Sequence, residues 1–195
     1  MRIFVAGGSG VIGRRLIPLL VAENHVVAAM TRSEGRVDEL YAMGALPVLC
    51  DVYNRDALVY SILDFAPDLI IDQLTDLPDH LGDIRAQSAR NNRIRRTGTA
   101  NLVEAARVCS ARIMAQSIAW ALPADGASAV EFLEQTVLGM GGTILRYGRL
   151  YGPGTYFEAE PPSPPRVHID EAAHRTLDAL FAPSGIVTVI DMQTT

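Results

Sequence analysis

Arg2-Ile3-Phe4-Val5-Ala6-Gly7-Gly8-Ser9-Gly10-Val11-Ile12-Gly13 is the stretch from which the rest of the chain can be read. Residues 2–6 form a short apolar run that reads as a buried strand, and apolar residues then recur at helical spacing from Val11 to Val21. Between the two lie glycines at 7, 10 and 13. In a strand–turn–helix unit, glycines so placed permit a tight turn, close approach of backbone to a pyrophosphate, and packing of the helix on the sheet. The helix start adds unpaired N–H groups and the positive end of a dipole. Gly7, Ser9, Gly10, Val11, Ile12 and Gly13 are therefore candidate cofactor contacts, the alternative being a turn with no ligand.

Outward from this unit the rhythm repeats. Strands are expected at Val26 to Thr31, Leu46 to Cys50, Leu69 to Asp72, Arg112 to Gln116, Thr143 to Arg146 and Ile186 to Ile190. Helices are expected around Val37 to Met43, Asp56 to Phe65, roughly 83 to 109, Ser128 to Leu138 and Asp170 to Phe181. Strands that are nearly unbroken apolar runs and alternate with helices imply a parallel sheet covered on both faces: an α/β, Rossmann-type doubly wound fold. Pro161-Pro162-Ser163-Pro164-Pro165 can join neither a central strand nor a helix and is expected to be an exposed connection. At 195 residues, a single domain is the expectation.

Composition narrows the function classes. A net charge of −5 gives no electrostatic reason to expect nucleic acid or an anionic membrane as partner, and a small-molecule binder fits better. The second apolar stretch is broken by Glu23-Asn24-His25, so neither a signal peptide nor a spanning helix is expected, which favours the cytoplasm. Cys50 and Cys109 stand alone, so no metal site or disulfide is expected. Asp170 and His174, with His168 just upstream, could form an acid/base or metal pair or serve only the fold. The segment Arg90-Asn91-Asn92-Arg93-Ile94-Arg95-Arg96 reads as a solvated helix face, with binding of phosphate, an acidic partner or nucleic acid as the alternative. All 17 basic residues are arginine.

The residue closing the second strand selects between dinucleotides, since a carboxylate there binds the ribose 2′-hydroxyl and a cation suits a 2′-phosphate. The chain carries Thr31-Arg32-Ser33, and Arg14 and Arg15 follow the glycine turn. Arginine's planar fork matches phosphate, so NADP(H) is expected over NAD(H). The other reading makes Arg32 a solvated turn residue and gives the acid's work to Glu34.

With these residues in place, the chain resembles the NAD-dependent epimerase/dehydratase group, the extended short-chain dehydrogenases/reductases. Beyond Gly7 to Gly13, the resemblance rests on Gly44-Ala45-x-Pro47-Val48-x-x-Asp51, Pro67-Asp68-Leu69-Ile70-Ile71, Gly98-Thr99-x-Asn101-Leu102-Val103-Glu104-Ala105-Ala106, Leu145-Arg146-Tyr147-x-x-x-Tyr151-Gly152-Pro153-Gly154, and Val167-His168-Ile169-Asp170-Glu171-Ala172-Ala173. It implies that Asp51 and Val52 flank the adenine, that Gln73 and Leu74 line the nicotinamide side, and that Tyr147 and Tyr151 lie on the substrate side. Asp51 as a turn cap and the two tyrosines as core aromatics are the alternatives. The resemblance also implies that residues 147–195 are the remnant of a reduced C-terminal substrate lobe, and it leaves a homodimer open.

The departures bear on activity. The family's serine or threonine after the fifth strand polarises the substrate oxygen, and its Tyr-x-x-x-Lys pair transfers the proton. Here Gln116-Ser117-Ile118-Ala119-Trp120 follows, with Ser117 the candidate catalytic residue, although one register places Ile118 there. The Tyr-x-x-x-Lys pair is replaced by Ala129-Val130-Glu131-Phe132-Leu133-Glu134-Gln135. Arg95 falls where relatives often carry an asparagine. Three readings follow: an atypical NADP(H)-dependent oxidoreductase or epimerase-like enzyme drawing its proton from water or substrate, a non-catalytic redox sensor, and a decayed member of the family.

Overall fold

The structure is a computed structural model and describes residues 1–192. The main sheet contains β1 (Arg2–Ala6), β2 (Val26–Thr31), β3 (Leu46–Leu49), β4 (Leu69–Asp72), β5 (Arg112–Ile118), β6 (Thr143–Tyr147) and β9 (Gly185–Val189). Its spatial order is β3-β2-β1-β4-β5-β6-β9, and every neighbouring pair is parallel. Strand order reverses between β1 and β4, the crevice position at which open α/β sheets bind ligands beyond their carboxyl ends. Two three-residue strands, β7 (Arg149–Tyr151) and β8 (Arg166–His168), pair in a separate small sheet.

Strand side chains alternate between two cores, as a period of two requires. Ile3, Val5, Ile71, Met114, Leu145 and Tyr147 pack on one face under α1 (Gly13–Ala22) and α7 (Ile169–Asp178). Phe4, Ala6, Ile70, Ile113, Ala115 and Ile144 pack on the other, under α3 (Arg55–Phe65), α5 (Thr99–Cys109) and α6 (Ala124–Gly139). A short α2 (Val37–Ala42) sits between β2 and β3 and buries Leu40. The doubly wound α/β architecture is as the sequence predicts.

The differences are local. The single helix expected over roughly 83 to 109 is α4 (Ser88–Arg93), a π-helical turn (Ile94–Gly98) and then α5, preceded by a 3-10 turn at Leu81–Asp83. Helix α6 starts at Ala124, directly after Pro123, ahead of the expected Ser128; its first turn, Ala124-Asp125-Gly126-Ala127, has no apolar period to announce it in the sequence. In the proline-rich segment Pro161, Ser163 and Pro164 are exposed as expected, whereas Pro165 is half-buried and Pro162 is buried. Among the described residues no helix is long and apolar enough to cross a membrane, and no group of three metal-ligating side chains gathers.

Candidate functional site

The glycine turn joins β1 to α1, and each glycine of the motif answers a different constraint. Gly7 has φ 84°, and a Cβ there would lie 2.7 Å from the Gln73 carbonyl oxygen at the end of β4. At Gly13 a Cβ would lie 2.5 Å from the Gly8 carbonyl oxygen, so α1 can start only against a bare backbone. A Cβ at Gly10 would meet nothing but the Gly7 carbonyl oxygen at 3.2 Å, so this glycine faces open space and shapes the surface of the turn. Helix α1 has neither a side-chain cap nor an acidic residue in its first turn, which leaves its positive end to an anion. The turn therefore fits a pyrophosphate.

On the β2 side, Ser9 Oγ and Thr31 Oγ1 lie 3.2 Å apart, which ties the turn to the strand end, and Thr31 Oγ1 also accepts from the Ser33 N–H. Arg32 reaches across to Asp76 in the loop after β4, at 3.1 Å, and Arg90 of α4 reaches the same carboxyl at 2.7 Å. Burial works against ionisation of Asp76, but the two guanidinium groups hold its carboxyl below the usual range. The Asp76 N–H donates to Asn91 Oδ1. Asp51 is exposed, and its carboxylate accepts from the Tyr53 N–H, while Val52 is buried and its carbonyl accepts from Asn101 Nδ2. The Tyr53 hydroxyl is buried without a partner, and Arg93 stacks 4.0 Å from the centre of its ring.

The arginines expected to meet the cofactor phosphates are engaged with protein. Arg14 donates to the Ser9 carbonyl and pairs with Glu39, which also holds Arg36. Arg15 donates to Asp170 at 2.6 Å and to the Pro153 carbonyl, which fixes α1 to α7 and to the loop after β7. His168 Nδ1 caps α7 by accepting from the Asp170 N–H. The trio of His168, Asp170 and His174 considered from sequence thus has two members occupied in holding α7.

At the β4 end, Asp72 is fully buried. It accepts from the Leu74 N–H and the Thr99 hydroxyl, and desolvation pushes its pKa up to about 6 against those two bonds. Gln73 Nε2 donates to the Tyr147 hydroxyl at 3.1 Å, and its Oε1 is buried without a partner. Tyr147, expected on the substrate side, is only 3% exposed: its hydroxyl lies 2.6 Å from Thr176 on α7, and burial pushes its pKa up to about 12. The even–odd register of β6 turns it into the core rather than toward the cleft. Tyr151 donates to Asp191 at 3.0 Å, and burial followed by that carboxylate raises its pKa.

Ser117 is turned away from the glycine turn. It lies on the α6 face of β5 and donates to Glu134 at 2.6 Å; the same carboxylate holds Arg146, and burial opposes but does not overcome these bonds, so Glu134 stays below its usual range. The structure thus brings together Gly7 to Gly13, Thr31, Arg32, Gln73 and Leu74 at the switch point, with Asp51 and Val52 beyond β2. Two polar features have no counterpart among the sequence candidates. One is Asp76, visible only once β2 and the β4 loop are adjacent. The other is Tyr156, whose hydroxyl donates to the Pro78 carbonyl and so joins the loop after β7 to the loop after β4.

The profile of the NAD dependent epimerase/dehydratase family matches residues 3–128. The 3-diazoavenalumate denitrifying reductase of a Streptomyces species is 36% identical over 180 residues, covering 80% of this chain and 58% of that protein. The 4-hydroxy-2-methyl-3-oxo-4-farnesyl-3,4-dihydroquinoline-1-oxide ketoreductase of Stigmatella aurantiaca is 33% identical over 126 residues, covering 65% of this chain and 36% of that one. The chain therefore spans less than two thirds of the length of either relative. Among solved structures, the UDP-glucose 4-epimerase of Thermus thermophilus, in complex with NAD, superimposes with a TM-score of 0.81 at 19% identity, over 99% of this chain and 78% of that one.

Proposed function

We infer a function from the fact that the chain belongs to the NAD dependent epimerase/dehydratase family: it binds a nicotinamide dinucleotide across the switch point and serves as an oxidoreductase on a small-molecule substrate. The observation that carries this reading is the glycine turn, where Gly7 and Gly13 are forced by backbone contacts while Gly10 leaves the approach to α1 open. When bound, the dinucleotide supplies or accepts hydride. The chain contributes the phosphate cradle and an adenosine border made of Thr31, Arg32, Asp51 and Val52, with Gln73 and Leu74 below the nicotinamide side. The two relatives described above are reductases by name, which supports reduction as the direction of use, while a third, shorter match is to a decarboxylating sterol dehydrogenase of Dictyostelium discoideum.

NADP(H) is the proposed preference. No acid stands at the two positions after Thr31, and Arg32 shares Asp76 with Arg90, so Arg32 can turn to a 2′-phosphate while Asp76 keeps a partner. Calorimetric titration with NADPH and NADH tests this: NADPH is expected to bind more tightly, and Arg32→Ala to weaken NADPH by about tenfold and NADH by much less. Equal loss for both dinucleotides would sink the preference.

Proton transfer draws on water or on the substrate. Tyr147 and Tyr151 both have raised pKa values, Ser117 is held by Glu134, and the chain has no lysine to activate a hydroxyl. The same disposition of Ser117 favours a second reading, cofactor sensing without turnover. NADPH oxidation with a panel of ketones and enones separates the two, since a sensor binds NADPH and oxidises none of it.

A further inference from the structure

We propose that Arg95 binds a carboxylate group of the substrate at the carboxyl ends of β4 and β5, so that the preferred substrates are organic acids. This rests on the dinucleotide reading above and names the substrate class for the same cleft.

Arg95 lies in the π-helical turn between α4 and α5, and such insertions recur at functional sites. The residues four before and four after it face the sheet ends: Asn91 accepts from the Asp76 N–H in the loop after β4, and Thr99 donates to Asp72, the last residue of β4. Residues four apart share a helix face, so Arg95 stands between these two on the side that looks over β4. Its neighbour Arg96 turns the other way, donating to Ser128 on α6 and lying over Phe132.

Among the described residues Arg95 makes no hydrogen bond, ion pair or aromatic contact, although it is half-buried. Nearby arginines are satisfied: Arg90 by Asp76 and Gln87, Arg93 by the Tyr53 ring, Arg96 by Ser128. Burial alone pushes the Arg95 pKa down, and no carboxylate stands near enough to oppose it. A desolvated guanidinium without a counter-ion is costly to keep. A planar oxyanion that accepts two parallel N–H bonds removes that cost, and a carboxylate has this shape. The pyrophosphate already has its cradle at the glycine turn on β1, whereas Arg95 looks over the end of β4, the strand on the opposite side of β1 from β2, where the reacting half of a dinucleotide and its substrate would lie.

The test uses NADPH-loaded protein titrated with cinnamate, benzoate and 3-phenylpropionate and with their methyl esters. The wild-type chain is expected to bind at least one acid about tenfold or more tightly than its ester, and Arg95→Leu and Arg95→Gln to lose that preference while NADPH affinity stays within about twofold. No acid-over-ester preference in the wild type, or one that persists in both variants, overturns the proposal. Parallel loss of NADPH binding in the variants also overturns it, assigning Arg95 to a cofactor phosphate. Failure of the wild type to bind NADPH contradicts the dinucleotide reading instead, and the same acid and ester titrations on the free protein then decide Arg95. A second measurement needs no ligand: Arg95→Leu relieves an unpaired charge and is expected to raise Tm by about 2–4 °C, whereas a fall would place Arg95 in the framework of the fold.

Discussion

Asp72 ends the central strand β4 as a carboxyl without a cation, satisfied by one N–H and one hydroxyl. Its pKa is about 6 in the folded chain against 3.8 as the ordinary value. Between those two values the folded state holds a proton that the unfolded state has released, so stability falls as pH rises through the window and levels off above it. Asp72→Asn keeps an acceptor for Leu74 and can donate to the Thr99 hydroxyl. It is expected to stabilise the fold at neutral pH by about 1–3 kcal/mol and to flatten the slope between pH 4 and 6, as read by urea unfolding at stepped pH. Unchanged slope in the variant would remove Asp72 as its cause. Tyr147 illustrates the opposite lesson. Its place in the Tyr-x-x-x-Tyr-Gly-Pro-Gly block marks it as a site residue, yet its hydroxyl is enclosed by Thr176 and Gln73. Tyr147→Phe is expected to cost about 1–2 kcal/mol of stability while leaving NADPH affinity unchanged. Loss of NADPH binding without loss of stability would return Tyr147 to the site.

At the scale of elements, α6 is held to the sheet by a charge as well as by its apolar face. Glu134 projects from its buried side to Ser117 on β5 and Arg146 on β6. Its pKa is held below the ordinary 4.5, so its contribution is present above that value and is lost as pH falls below it, opposite in sign to Asp72. Arg146 is 40% exposed, so Glu134→Gln is expected to cost about 1–2 kcal/mol at neutral pH, less than a fully buried pair, and to weaken the acid limb of the stability profile. The strands of the main sheet were legible in the sequence because each is an apolar run long enough to separate from its flanking turns. β7 and β8, three residues each, carry no such pattern. The π-helical turn was not legible either: one inserted residue within 94–98 shifts the helical period too little to show against charged neighbours. Asp76 and the Ser117–Glu134–Arg146 cluster escaped because each joins residues from separate elements, which only tertiary structure makes adjacent.

For the whole molecule, seven parallel strands put the ends of β1, β2 and β4 into one crevice, so a ligand bound there touches the centre of the fold rather than an appendage. A dinucleotide that binds only the folded state stabilises all of it, by about 2.7 kcal/mol at a hundredfold excess over Kd. For a chain of this size that is a rise in Tm of roughly 5–10 °C. The three motif glycines divide the prediction. Gly7→Ala and Gly13→Ala introduce a Cβ within 2.7 Å of backbone oxygens and are expected to lower the Tm of the free protein sharply. At Gly10 the nearest atom is 3.2 Å away and the rest is open space, so Gly10→Leu is expected to leave the free protein nearly as stable while filling the approach to α1. The free Tm of Gly10→Leu should therefore stay near wild type while the rise on adding NADPH disappears. If Gly10→Leu keeps the full rise, the phosphates lie elsewhere in the crevice, and the borders assigned to Thr31, Arg32, Gln73 and Leu74 must move with them.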